Sequence, residues 1–196
     1  MSKRQAAIER NTKETQLKAE LDLDGQGRFE GAIGVPFLEH MLDLMTRQAL
    51  FDLTVSGRGD LKIDAHHTVE DVGIVLGQAF KQAVGDKAGI VRYGEAHVPM
   101  EEALGFVALD VCNRPLCVFK ADMPKSKVGE FDVELVEEFL RAFAVNAGLT
   151  AHFRLEYGSN LHHCAEALFK ALGRALGQAV TVNPRIKGVH STKGAL

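Results

Sequence analysis

Sliding this chain along itself by 96 positions superposes His66, His67, Glu70, Leu76, Gly77, Ala79, Gln82, Ala83 and Val84 on His162, His163, Glu166, Leu172, Gly173, Ala175, Gln178, Ala179 and Val180. The same offset lays Asn160 over Asp64, and both residue types favour the position just before a helix. A chain that repeats a helix and its start signal in this way is restricted to folds built from two equivalent halves. The repeat therefore predicts an internally duplicated domain.

Apolar spacing fills in each half. Residues 15–23 alternate, with Leu17, Ala19, Leu21 and Leu23 on one face; Asp24 to Gly27 gives a turn and residues 28–33 return, which predicts a β-hairpin. Phe37, Leu38, Met41, Leu42 and Met45 are spaced for a helix over residues 35–49, followed by a strand at 51–55. Beyond the turn at 57–60, Asp64 is the expected N-cap of a helix reaching Val84, with Gly85 as its stop. In the second half the same reasoning gives strands at 104–111 and 116–121, a helix over 133–147, a strand at 150–157 and a helix over 161–180. The expected class is α/β of the α+β type: duplicated β-β-α-β-α half-domains, each a mixed sheet with helices packed on one face. One domain over residues 1–196 is expected, with halves of about 4–90 and 91–185 and a tail, 186–196, that contributes to the active site.

Composition narrows the function. With 46% hydrophobic residues in 196, the chain can bury a sizeable core. A net charge of −3 argues against a nucleic-acid or anionic-membrane partner, because counterion-release binding needs an excess of Lys and Arg. The start, Met1-Ser-Lys-Arg-Gln, leads into no apolar signal region, and no run of apolar residues is long enough to span a bilayer, so a cytoplasmic location is expected. Cys112, Cys117 and Cys164 contain no C-x-x-C pair and suit reduced thiols; Cys164, two residues after His162, is expected to be an ordinary buried side chain.

The chemistry lies in the repeated His-His-x-x-Glu. Successive helical residues turn by about 100°, so His66 and His67 diverge by that angle and Glu70 falls between them, about 40° from the first. Imidazole nitrogen and carboxylate oxygen together suit manganese, iron, cobalt or zinc, and the lack of thiolates argues against a structural zinc site. A single such cluster would serve equally well as capping or surface residues, with its Glu complementing the helix dipole. Two in register, on duplicated helices, point to a shared two-metal site. His40, in Glu39-His40-Met-Leu-Asp43, is a further candidate ligand, and its counterpart in the second half is near Glu138. No Walker A loop or G-x-G-x-x-G follows a strand, so an anion would have to be held by scattered groups: Arg92, Arg114, Lys170 and the segment His190-Ser-Thr-Lys193-Gly.

Five separated motifs, Arg10-Asn-Thr-Lys-Glu14-Thr, Phe37-Leu-Glu-His40-Met-Leu-Asp43, Asp64-Ala-His-His-Thr-Val-Glu-Asp, Gly158-Ser-Asn-Leu-His-His-Cys-Ala-Glu and Ser191-Thr-Lys-Gly, run in order from about residue 4 to the C-terminus. Together they make the chain resemble the imidazoleglycerol-phosphate dehydratases of histidine biosynthesis. The resemblance implies a hydro-lyase that eliminates water from imidazole glycerol phosphate to give imidazole acetol phosphate, with two Mn2+ per active site. It also implies trimers assembled into 24 subunits, with active sites at subunit contacts. By the matching motif positions, His40, His66, His67, Glu70, His162, His163 and Glu166 would be metal ligands, and Glu14 the acid/base carboxylate. Arg92, Arg114, Lys170, Ser191 and Lys193 would hold the substrate, chiefly its phosphate. Two departures stand out: Glu138-Phe-Leu replaces a His-Phe-Phe common in relatives, which offers a carboxylate, or His152 nearby, in that ligand's place, and Gln48 stands where relatives often carry a second histidine.

The expected route has the ions favour the deprotonated ring, which expels the neighbouring hydroxyl to give a diazafulvene-like intermediate; Glu14 then removes the proton from the next carbon. His40, Glu70 and Glu166 are counted with Glu14 as catalytic through their ligand role. A dinuclear metal-dependent hydrolase, or a non-catalytic metal-binding shell protein, would explain the histidine pairs but neither the Glu14 segment nor the Ser-Thr-Lys-Gly tail.

Overall fold

The computed structural model describes residues 3–196; Met1 and Ser2, part of the start read above for an export signal, lie outside the described residues. The chain runs β1 (Gln5–Asn11), β2 (Gln16–Asp22), β3 (Phe29–Ala32), α1 (Pro36–Ala49), β4 (Asp52–Arg58) and α2 (His66–Val84). It continues through β5 (Tyr93–Met100), β6 (Ala103–Asp110), β7 (Leu116–Lys120), the short pair β8 (Lys127–Val128) and β9 (Phe131–Asp132), α3 (Leu135–Asn146), β10 (Thr150–Tyr157) and α4 (Leu161–Val180). Among the described residues no helix is long and apolar enough to cross a membrane.

Two four-stranded mixed sheets carry the fold, ordered β1-β2-β4-β3 and β5-β6-β10-β7. They share one topology. In each, two antiparallel strands form a hairpin, the strand after the first helix pairs antiparallel with the second of them, and the remaining strand joins the far side in parallel, Phe29 opposite Leu53 in one sheet and Leu116 opposite Thr150 in the other. The expected α+β class and the duplication are thus what the structure contains, with the β8–β9 pair as an addition in the second half.

The predicted hairpin of residues 15–23 with 28–33 is corrected. β2 pairs instead with β1, Leu17 opposite Arg10, and β3 lies beyond β4. Asp52 explains the route, because its Oδ1 accepts from Gln26 N at 2.8 Å and Arg28 N at 3.0 Å, pinning the 24–28 loop to the start of β4. The chain is thereby led past β2. The strands β1 and β5 carry no clear alternation because both lie at sheet edges: along β1 only Ala6 is buried, and along β5 only Gly94 and Val98.

Each sheet buries one face. Leu17, Ala19 and Leu21 of β2, and Ala103, Val107 and Leu109 of β6, point into a core completed by Phe80, Phe139, Phe143, Phe153 and Phe169. Removing one such aromatic to Ala costs about 3–5 kcal/mol in transfer and cavity terms. Helix pairing crosses between the halves: α2 packs on β1 and β2 but lies against α3, while α4 packs on β5 and β6 and lies against α1. The repeated glycines make this possible. A Cβ on Gly77 would stand 2.6 Å from Phe143 O, and one on Gly173 2.2 Å from Met45 O, so the backbones meet at a distance that only glycine allows.

Cys112 and Cys164 are buried and all three cysteines are free thiols. The expected N-cap of α2 is corrected: the helix begins at His66, so Ala65 and not Asp64 is the cap residue, and Asp64, one position further out, accepts from His66 N at 2.8 Å. Asn160 caps α4 through bonds from His162 N and His163 N. Gly173→Ala, which forces a methyl against a main-chain carbonyl, is expected to lower stability by about 1–3 kcal/mol, read as a fall in the chemical-denaturation midpoint.

Candidate metal centre

The two His-His-x-x-Glu motifs open their helices as expected, and each pair of rings diverges in the same manner. The His66 and His67 rings lie 6.1 Å apart at 86°, and the His162 and His163 rings 6.3 Å apart at 76°. One ring of each pair can therefore serve a different ion from its neighbour.

The α1–α4 crossing assembles the first cluster. His40 Nε2 lies 2.9 Å from Glu166 Oε1 and His162 Nε2 lies 3.1 Å from the same oxygen. Lys170 Nζ donates to Glu166 Oε2 at 2.7 Å. Burial by itself would push the Glu166 carboxyl up, but the hydrogen bonds from Lys170, His40 and His162 outweigh it and bring the group down to about 2. Glu166 is thus an anion at neutral pH, and Phe37 packs its ring edge-on to His162 at 5.3 Å to shield one side. Two imidazole nitrogens and a carboxylate oxygen, all within 4.8 Å of one another, are the donors and the spacing that a borderline divalent ion takes. The residues fit the metal that the sequence implies.

Around the second histidines the pattern differs. His163 Nδ1 lies 2.7 Å from Glu102 Oε2, and Glu101, Glu102 and His163 form a second group with metal-ligating atoms close together. His67 Nδ1 lies 2.9 Å from Asp60 Oδ2 and 3.9 Å from Glu14 Oε2. The bond to Asp60 raises the affinity of His67 for protons, and the bond to Glu102 does the same for His163. Glu102 in turn is brought down to about 2 by His163 and by main-chain donors, chiefly Asn160 N. Neither Asp60 nor Glu102 is visible as a site residue in the sequence, since each reaches its histidine through tertiary structure.

Glu14 sits in the turn between β1 and β2. Thr12 Oγ1 accepts from Glu14 N at 3.1 Å and from Thr15 N at 2.9 Å, and the turn is tied to α2 because Thr15 Oγ1 and Arg10 Nε both donate to the buried Asp71. That scaffold leaves the Glu14 carboxylate with no hydrogen bond among the described residues. His66 and Glu70 are part-buried and likewise without side-chain hydrogen bonds. Glu138 is part-buried on α3, His152 is exposed in mid-β10, and neither belongs to a ligand cluster among the described residues. Among the described residues of one chain, no cluster of three combines the α2 histidines and Glu70 with those of α4.

The predicted anion-binding groups divide. Arg92, Arg114, His190, Ser191 and Lys193 line a cavity of about 590 Å³. Arg92 is buried there, fully committed through Nε and Nη2 to Asp110 at 2.6 and 2.9 Å and through Nη1 to His190 O at 2.9 Å, so it anchors the tail. Lys170 stands apart, against Glu166. Gln48 is at the other end of α1, where it lines a larger recess of about 1460 Å³ that holds none of the histidine clusters.

Comparison with known proteins agrees with the motifs. Residues 33–176 match the family model described as imidazoleglycerol-phosphate dehydratase. The imidazoleglycerol-phosphate dehydratase of Geobacter metallireducens is 58% identical over 193 residues, covering 98% of this chain and 99% of that protein, and that of Pelobacter propionicus is 55% identical with the same coverage. Among solved structures, the Staphylococcus aureus enzyme of that name superposes with a TM-score of 0.83 at 43% identity, covering 91% of this chain and 99% of the other. The IGPD of Pyrococcus furiosus gives 0.80 at 34% identity, covering 96% and 100%. The full-length likeness in sequence and in fold places this chain in the imidazoleglycerol-phosphate dehydratase family.

Proposed function

We propose that the dehydration this family is named for is carried out here by a site composed from two copies of the chain, with Glu14 as its proton-transferring carboxylate. The family's reaction, removal of water from imidazole glycerol phosphate within histidine biosynthesis, makes this chain a hydro-lyase. The observation that carries the residue assignment is the contrast in the site: Asp60 and Glu102 are each hydrogen-bonded to a second histidine, while the Glu14 carboxylate stays open 3.9 Å from His67.

His40, His162 and Glu166 would hold one divalent ion, and His66, His67, Glu70 and His163 supply the further ligands, with two Mn2+ per site as the reading that best matches the donor count. Such ions, when bound, supply positive charge that favours the deprotonated form of an imidazole ring. Because the α2 and α4 ligands form no common cluster among the described residues of one chain, a neighbouring subunit is needed to bring them together, and the exposed Ile63 and Tyr157 beside the two helix starts are the surfaces such a contact would cover. A trimer-based assembly of 24 subunits fits this requirement.

The substrate's reacting hydrogen is not acidic, since no carbonyl flanks it. Glu14, held by the 12–15 turn, takes that proton from the carbon next to the departing hydroxyl; the hydroxyl leaves as water and the resulting enol tautomerises to the ketone. Positioning falls to the tail cavity: Arg114, Ser191 and Lys193 receive the phosphate, and Arg92 fixes the tail that carries two of them. The pull of Lys170 on Glu166 keeps that carboxylate ionised for its ligand role.

Glu14→Gln is expected to cut kcat by about 10²–10⁴ while manganese content, measured by elemental analysis, stays at the wild-type level. Near-normal turnover would remove the assignment. Mixing two inactive variants, one disabled at His66 and one at His162, then allowing them to reassemble, is expected to restore part of the activity. No recovery would contradict a site shared between chains.

A further inference from the structure

The duplication brings a hairpin turn up to each histidine pair. In the first half the β1–β2 turn carries Glu14; in the second the β5–β6 turn carries Glu101 and Glu102. These turns are topological equivalents, yet their carboxylates are used differently. Glu102 is fully committed: Oε2 faces His163 Nδ1 at 2.7 Å, and Oε1 accepts from Ser159 N at 3.2 Å and Asn160 N at 2.7 Å. Glu14 is open.

The connections into the two helices explain the contrast. Between β4 and α2 the chain has residues 59–65, and Asp60 on that longer loop places Oδ2 2.9 Å from His67 Nδ1. Between β10 and α4 there are only residues 158–160, which include no carboxylate. The second half therefore draws its acceptor from the neighbouring hairpin. Its turn holds Glu101 at φ 49°, in the left-handed region where glycine is the unstrained choice, a local cost borne beside the site.

An imidazole that gives its Nδ1 hydrogen to a carboxylate is fixed in one tautomer and one orientation, with Nε2 unprotonated and free to coordinate. We infer that Asp60 and Glu102 are positioning residues that present Nε2 of His67 and His163 to the ions, and that Asp60, by taking over His67, is what leaves the hairpin carboxylate Glu14 available for proton transfer. The same arrangement has been reached from two different places in the fold, a loop in one half and a hairpin in the other. Simple inheritance through the duplication would have put both carboxylates at equivalent positions. The inference rests on the reading of His67 and His163 as metal ligands.

The test is manganese binding to the full-length assembled protein, by calorimetry and chelator competition, in wild type, Asp60→Asn and Glu102→Gln. An amide can donate as well as accept and so no longer selects the tautomer. The expected result is an unchanged number of ions per chain with affinity weakened about 10–100-fold in each variant, and for Glu14→Gln, unchanged affinity. Unchanged affinity in both positioning variants overturns the inference, as does loss of one ion per chain in Glu102→Gln, which would make Glu102 a ligand. Wild-type protein that takes up no manganese overturns the ligand reading and the inference with it. Should a variant fail to assemble, a crystal structure of manganese-loaded wild type decides: Nε2 of His67 and His163 on the ions with Asp60 and Glu102 at Nδ1 supports the inference, and an ion on Nδ1 or on the Glu102 carboxylate refutes it.

Discussion

The crossing of α1 over α4, and of α2 over α3, fixes almost everything else in this molecule. Each crossing joins a helix of one half to a helix of the other, at glycines where a single added carbon would meet a main-chain carbonyl. Because the helices exchange partners in this way, neither sheet completes its core alone, and the aromatic residues Phe80, Phe139, Phe143 and Phe169 fill the space between. The crossing also has a chemical product: it sets His40 of α1 against His162 and Glu166 of α4, so that two imidazole nitrogens from distant stretches of chain converge on one carboxylate oxygen.

How much of this was legible beforehand depends on whether a feature is local. The bounds of α4 and β10 match the periodicity, and the His-His-x-x-Glu motifs could be read directly because helical spacing alone determines which way those side chains point. β1 and β5 could not be read, since an edge strand buries one residue here and another there without regular alternation. The pairing of β3 departs from the local pattern for a related reason. The turn at 24–27 has the right composition, but the side chain of Asp52, which is remote in sequence, decides where it leads.

The same division runs through the site. Motif likeness supplied Glu14, the histidines and the tail residues, but it could not separate the buried Arg92, locked to Asp110, from the exposed Arg114, which meets the same carboxylate only at 3.4 Å, or from Lys193 on the cavity wall. Asp60 and Glu102 went unseen because a carboxylate that orients a histidine across a loop or a hairpin leaves no fixed spacing in the sequence. Duplication doubled the His-His-x-x-Glu motif, while the carboxylates that hold its second histidines come from different places, Asp60 from a loop and Glu102 from a hairpin.

The claim at the centre is that the dehydration depends on divalent ions held by these histidine and glutamate side chains. Its most direct measurement follows metal content and dehydration of imidazole glycerol phosphate together, before chelation, after it, and after manganese is returned. The account predicts that activity disappears as the metal is removed and comes back in proportion to the manganese rebound. Full turnover by protein shown to be free of metal would contradict it.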